Sequence, residues 1–222
     1  MTNQNSGGSP SVAPSPSFKS HWWWRPGWRP GRRMYTFFLT LNDRPDIAQR
    51  IAAYYAEALR DPILDVVPPE WMHLTVQGVG FTDEVAADEL NPVLSELQHR
   101  CSSVQPIAMT LGSPVVAEEG VVLTLSPLES ARELRTIVRT VLTEVRDPRE
   151  LDGGDSFTPH LTIAYSNSTG PADEIVQKLN NLPKLPLTIM FDQLRLISLG
   201  RDRHMYEWDE VGQIKFGSAE VV

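Results

Sequence analysis

Two short runs set the pattern of this chain. In Trp71-Met72-His73-Leu74-Thr75-Val76-Gln77-Gly78 and in Thr158-Pro159-His160-Leu161-Thr162-Ile163-Ala164-Tyr165, apolar and polar positions alternate, with prolines upstream and Gly or Ser/Asn beyond. Period-two alternation rich in β-branched residues predicts a strand. Side chains two apart share a face, so His73 and Thr75 point one way while Leu74 and Val76 point to a core. His160 and Thr162 are separated from Leu161 and Ile163 in the same manner.

The remaining pattern mixes helices and strands. Residues 34–41 read as a strand with Thr36, Phe38 and Thr40 on one face. Residues 43–59 read as a helix with Asn42 or Asp43 as N-cap and Ile47, Ile51, Tyr54, Tyr55 and Ala58 inward. A short strand is predicted over 63–67, and a helix over 83–100 with Val85, Leu90, Val93, Leu94 and Leu97 inward. Strands at 107–111 and 121–125 are joined by a turn at Glu118-Glu119-Gly120. A helix over 128–145, with Ser126 or Ser130 as candidate cap, leads to a loop over 147–156. After the second run come a helix over 172–182 and strands over 188–199, 205–208 and 214–216. Gly200-Arg201-Asp202-Arg203-His204 forms a hairpin tip between the first two of these strands.

A single His-x-Thr in a strand is ordinarily a polar outer face. The repetition changes that reading. His73 and His160 are 87 residues apart, and the segments downstream of them also repeat. Thr82-Asp83-Glu84-Val85 is echoed by Ala172-Asp173-Glu174-Ile175, and Gln105-Pro106-Ile107-Ala108-Met109 by Leu185-Pro186-Leu187-Thr188-Ile189. A strand–helix–strand unit used twice brings the two His/Thr faces together across a pseudo-twofold axis.

Composition narrows the classes. At 222 residues the chain can bury a real core, and it has no run of about 18 apolar residues. The N-terminus lacks the layout of a secretory signal. The lone Cys101 cannot form an internal disulfide and reads as structural, so a cytoplasmic protein is expected. His99, at a helix end, reads as solvated. The five histidines are scattered, with no His-x-x-x-His or Cys-x-x-Cys, so neither a metal nor a cofactor is expected. No phosphate-cradling Gly-Lys-Ser/Thr loop is present, which argues against an ATP-driven ligase.

Charge is uneven. Residues 1–33 hold Lys19, Arg25, Arg29, Arg32 and Arg33 and no acid, leaving −13 on the remainder of a chain whose total is −8. An acidic body with a basic arm suits a small anionic ligand better than a duplex. Residues 1–20 are rich in Ser, Pro, Gly and Asn and are expected to be disordered. Trp22, Trp23, Trp24 and Trp28 follow, four tryptophans in seven residues. Two readings stay open and are compatible: rings that cover apolar surface of the domain, or a lid whose Trp and Arg groups stack on bases and touch phosphate. The expected organisation is an arm over 1–33 and one domain over 34–222.

Paired His-x-Thr strands in a duplicated chain resemble the two-histidine (2H) phosphoesterase superfamily, within it the 2′-5′ RNA ligase and cyclic-phosphodiesterase-like proteins. Pro68-Pro69-Glu70-Trp71-Met72-His73-Leu74-Thr75-Val76 with Gly78-Val79-Gly80 resembles the first motif of that family, and Pro159-His160-Leu161-Thr162-Ile163 the second. The likeness spans about residues 34–217. It departs at Tyr165, where the RNA-ligase-like branch often carries a basic residue.

The resemblance implies an α+β fold of two lobes, each an antiparallel sheet with helices outside, around a central cleft. It implies His73 and His160 as acid and base, in an order the sequence leaves open, and Thr75 and Thr162 as phosphate-binding hydroxyls. Phe38, Tyr165, Arg201, Arg203, Tyr206 and Trp24 are candidate substrate contacts. Packing into the core or rim is the alternative for Phe38 and Tyr206, and a solvated turn for the two arginines. The expected partner is a nucleotide or short RNA with a 2′,3′-cyclic phosphate or 2′-5′ linkage, met by a monomer with no membrane association. The alternative is a nucleotide- or RNA-end-binding protein without turnover. A cyclic phosphate on a metabolite or signalling oligonucleotide also stays open.

Overall fold

The computed structural model describes residues 16–145, 151 and 157–217. Residues 1–15 of the arm and, apart from Leu151, the expected loop over 147–156 lie outside the described residues. The elements run β1 (Ser17–Phe18), β2 (Met34–Thr40), α1 (Pro45–Tyr55), β3 (Leu64–Val66), β4 (His73–Phe81), α2 (Leu90–Cys101), β5 (Ile107–Ala117) and β6 (Gly120–Ser126). They continue as α3 (Glu129–Val145), β7 (His160–Ser166), β8 (Gly170–Pro171), α4 (Asp173–Asn180), β9 (Thr188–Phe191), β10 (Gln193–Gly200) and β11 (Glu207–Lys215).

The strands form a four-stranded sheet, β11-β10-β2-β4, a five-stranded sheet, β3-β7-β6-β5-β9, and the small β1-β8 pair. Every pairing is antiparallel. Helices α2 and α3 pack on each other and against β11 and β4, and α4 packs against β5. The duplication is visible in the order of elements, since β4-α2-β5 is matched by β7-α4-β9. The two motif strands belong to different sheets and pack against each other. The fold is therefore an α+β arrangement of antiparallel sheets with helices packed on them.

Each motif strand carries a β-bulge at the same offset. In β4 the register against β2 passes from Thr75 to Gln77, skipping Val76. In β7 the register against β6 passes from Thr162 to Ala164, skipping Ile163. Both skipped residues are buried, three positions beyond the histidine. A bulge bends the strand and re-aims the side chains beyond it. Strict alternation would put Tyr165 beside Leu161 and Ile163; after the bulge it stands opposite Gly120 and shares the face of Thr162 instead.

Alternation in β2 separates two cores. Phe37 and Leu39 join the main core, whereas Phe38 joins a smaller cluster with Ile197, Leu199 and Trp208 on the other face of the four-stranded sheet. Thr36 and Thr40 share that second face and are buried there, so the Thr/Phe/Thr face forms the floor beneath the first motif histidine.

Several expected boundaries move for identifiable reasons. The helix expected over 83–100 begins at Leu90, because Pro92 has no amide hydrogen and fits only the first helical turn. Neither Asn42 nor Asp43 caps α1; its N-cap is Arg44, with Pro45 opening the helix, and Asp43 instead binds Arg195 through both carboxylate oxygens at 2.7 Å. The expected strand over 188–199 breaks at Asp192, where the chain passes from one sheet to the other. The strands expected over 205–208 and 214–216 are the two ends of one strand, β11, which runs from Glu207 to Lys215 with a bulge near its middle. Of the residues expected to be disordered, Ser17 and Phe18 form β1, and Phe18 is fully buried.

The arm lies along the body by charge complementarity. Lys19 pairs with Glu118, Arg25 with Glu119, Arg29 and Arg32 with Asp83, and Arg33 with Asp209. All five arm cations thus face carboxylates of the acidic body. These pairs agree with the packing reading of the arm, which is compatible with the lid reading.

Candidate active site

β4 and β7 each deliver an imidazole held in the same way. His73 Nδ1–H donates to the Trp71 carbonyl at 2.8 Å, and His160 Nδ1–H donates to the Thr158 carbonyl at 2.9 Å. A carbonyl only accepts, so the neutral form of each ring carries its proton on Nδ1 and leaves Nε2 with a lone pair. Trp71 sits at the end of a 3₁₀ turn, Pro69–Trp71, fixed by the two prolines ahead of the strand. The proline-bounded entry to each strand therefore sets the histidine's tautomer.

The two histidines differ in their surroundings. His73 is 6% exposed. The Phe38 ring lies flat against it, with centroids 3.9 Å apart and planes 10° apart. Trp208 meets it edge-on at 5.2 Å, and Tyr206 is tilted at 6.2 Å. Burial lowers the His73 pKa to about 4; the Trp71 carbonyl opposes that shift, and the nearby charge of His160 adds to it. The strands that carry the two imidazoles, β4 and β7, pack against each other. His160 is exposed, and among the described residues no aromatic ring packs on it. Thr75 is exposed and Thr162 half-buried, so both hydroxyls can be reached by a ligand.

The other candidates separate. Phe38 is 1% exposed with its face covered by His73, so it supports the imidazole and is not a base platform. Phe38→Ala is expected to lower stability by about 3–5 kcal/mol, as for other buried aromatic truncations, which a urea unfolding curve measures. Tyr165 is buried, and its hydroxyl is pushed well above the ordinary tyrosine range by burial first and by Tyr206 next. Arg201 is 3% exposed and donates to the His21 carbonyl at 2.7 Å, which removes it from the cleft mouth. Arg203 is an exposed turn residue whose Nε and Nη2 donate to the two carboxylate oxygens of Glu207 at 2.8 Å. Trp24 is 49% exposed, with no ring contact to the histidines. Tyr206 lies in the wall beside His73, its hydroxyl 3.1 Å from His21 Nε2.

Sequence reasoning missed Trp208 as a site residue, although Tyr206 and Trp208, two apart in an extended run, share a face by the same alternation that identified the motif strands. It also missed His21, for which no periodic signal exists in the arm.

The sequence model of the 2'-5' RNA ligase superfamily matches residues 35–203, most of the chain, and the chain belongs to that superfamily of 2H phosphoesterases. No curated protein matches the sequence. Among solved structures, TT0787 of Thermus thermophilus superposes with a TM-score of 0.66 at 15% identity, covering 84% of this chain and 100% of that one. Escherichia coli LigT, in a complex with ATP, superposes with a TM-score of 0.62 at 16% identity, covering 84% and 99%. LigT in a complex with 3'-AMP gives 0.63 at 17% identity, covering 83% and 98%. At such identities the likeness speaks to the fold. The arm before residue 35 falls outside the family match.

Proposed function

We propose that this chain opens 2′,3′-cyclic phosphates or 2′-5′ phosphodiesters of nucleotides or RNA ends by acid/base catalysis from His73 and His160. The observation that carries the reading is the matched pair of imidazoles, each fixed through Nδ1 to a carbonyl two residues upstream, with a threonine two residues on. Family membership and the nucleotides bound by LigT agree with it.

His73, held neutral near pH 7, takes the base role for hydrolysis: its Nε2 accepts a proton from water as the water oxygen attacks phosphorus. The P–O bond to one sugar oxygen breaks, and His160 gives that oxygen a proton. In the ligation direction the roles exchange. A bound phosphate draws the His73 pKa upward, because an opposite charge favours the protonated ring. The Thr75 and Thr162 hydroxyls donate to the non-bridging oxygens, where charge builds. Each such donor contributes about 2–4 kcal/mol to the barrier, so Thr75→Val and Thr162→Val are each expected to lower kcat by about 10²-fold in a steady-state assay.

The direct test is hydrolysis of 2′,3′-cyclic nucleotides with EDTA present. Activity that disappears with chelator, or that persists in the His73→Ala, His160→Ala double variant, rules the mechanism out. Tyr165, standing where relatives often have a basic residue, favours a second reading: a binding protein without turnover. Calorimetric nucleotide binding with no product after long incubation would support that one.

A further inference from the structure

The His21-Trp22 dipeptide touches both lobes at once. On the side of the five-stranded sheet, the His21 amide donates to the Ser166 carbonyl at 2.8 Å, and the Trp22 indole N–H donates to Asp65 at 2.7 Å. On the side of the β10–β11 hairpin, Arg201 donates to the His21 carbonyl at 2.7 Å, and the His204 ring stacks on Trp22 at 5.3 Å.

The His21 side chain makes the same bridge. Its Nδ1 is 3.1 Å from Glu119, in the β5–β6 turn, and its Nε2 is 3.1 Å from the Tyr206 hydroxyl, just ahead of β11. A carboxylate only accepts, so Nδ1–H donates to Glu119 and Nε2 accepts from Tyr206. Burial first, then the Arg25 charge, lowers the His21 pKa to about 4, so this neutral tautomer holds near pH 7. Glu119 is itself fixed by the Trp23 indole N–H at 2.9 Å and by Arg25. Next to it Gly120 has φ 156°, and a Cβ there would lie 2.3 Å from the Ala164 carbonyl oxygen, so the turn keeps glycine to bring Glu119 against β7.

Both ends of this bridge lead to the catalytic groups. Tyr206 walls His73, and Tyr165, whose ring lies 4.4 Å from His21, shares the face of Thr162 on β7. We propose that His21 is a positioning residue: a clasp from the N-terminal arm that ties the β10–β11 hairpin to β7 and so sets the spacing between the His73 and His160 halves of the cleft. This rests on the proposed acid/base role of those two histidines and goes beyond it, because the clasp lies outside the segment that matches the family.

The test compares His21→Ala, His21→Gln and Tyr206→Phe in the full chain, with thermal melts to confirm folding. Misplacement of reacting groups by about 1 Å costs on the order of 10²-fold, so His21→Ala is expected to lower kcat by about 10–10²-fold with KM unchanged. Tyr206→Phe should reproduce the defect, and adding it to His21→Ala should cost nothing more. His21→Gln, whose amide can donate to Glu119 and accept from Tyr206, should recover most of the rate. An unchanged kcat in folded His21→Ala, a defect confined to KM, or multiplicative losses in the double variant would overturn the clasp.

If wild-type protein turns over no cyclic phosphate, the proposed reaction fails, and the clasp is judged by binding of inorganic phosphate. The expected result is then weaker binding in His21→Ala and Tyr206→Phe and recovery in His21→Gln. Equal affinity in all four proteins contradicts it.

Discussion

Replacing either motif histidine by alanine is expected to lower kcat/KM by about 10²–10⁴-fold, the usual contribution of a positioned acid or base. The double variant should fall by much less than the product of the two losses, because the groups act as a unit on one proton balance. Stability should separate them. His160 is exposed, and His160→Ala should stay within about 0.5 kcal/mol of wild type. His73 packs on Phe38 and against Trp208, so His73→Ala removes packed surface and should also lower the unfolding midpoint. Steady-state rates on a 2′,3′-cyclic nucleotide, read beside urea curves, give both quantities. Wild-type rates in both variants, with only His73→Ala destabilised, would show a structural His73 and no acid/base pair.

The second large effect is acid destabilisation. His73 and His21 each have a folded pKa of about 4 against 6.5 when unfolded. Between those values the unfolded chain binds more protons, so stability rises with pH. Their contribution is therefore complete above about pH 6.5, falls as pH drops through the window and levels off below about 4. At 1.36 kcal/mol per unit, each group is expected to remove on the order of 3 kcal/mol over that range. For a domain with a typical total of 5–15 kcal/mol, the loss is large. Unfolding free energies at pH 7.5 and 4.5 measure it, and His21→Gln should lose its share of the slope. A flat profile between those two pH values would contradict the burial of both rings. The lowered Asp43 and Asp83 carboxyls add to acid lability only further down, as they are protonated.

The faces of the motif strands were legible because alternation holds from His to Thr in each and the motif occurs twice. The floor strand was legible for the same reason: Thr36, Phe38 and Thr40 do share a face with His73. What alternation cannot carry is the bulge. Val76 and Ile163 look like ordinary core residues in a strand pattern, yet the register slips at each, and Tyr165 changes face as a result. The late start of α2 was legible in principle, since Pro92 excludes a helix reaching back to Asp83; the apolar spacing of Val85 and Leu90 masked it. The arm was legible only as packing material. Its tryptophans and its +5 charge signalled a surface to cover and carboxylates to meet. That His21 in particular would stand between Glu119 and Tyr206 depends on contacts nearly 100 and 185 residues away, which no local pattern encodes. Arg201 shows the same limit: on a hairpin tip it reads as solvated or phosphate-facing, and it is buried against the arm.

Whether one phosphate is held between two imidazoles delivered by related strands is best decided by ¹⁵N NMR of the histidine rings during titration with a 2′- or 3′-nucleotide product. The expected result is that the Nε2 resonances of His73 and His160 move together along one binding curve while Nδ1 of each stays bonded to its carbonyl. A titration in which only one ring responds, or in which neither does while the nucleotide binds elsewhere, would contradict it.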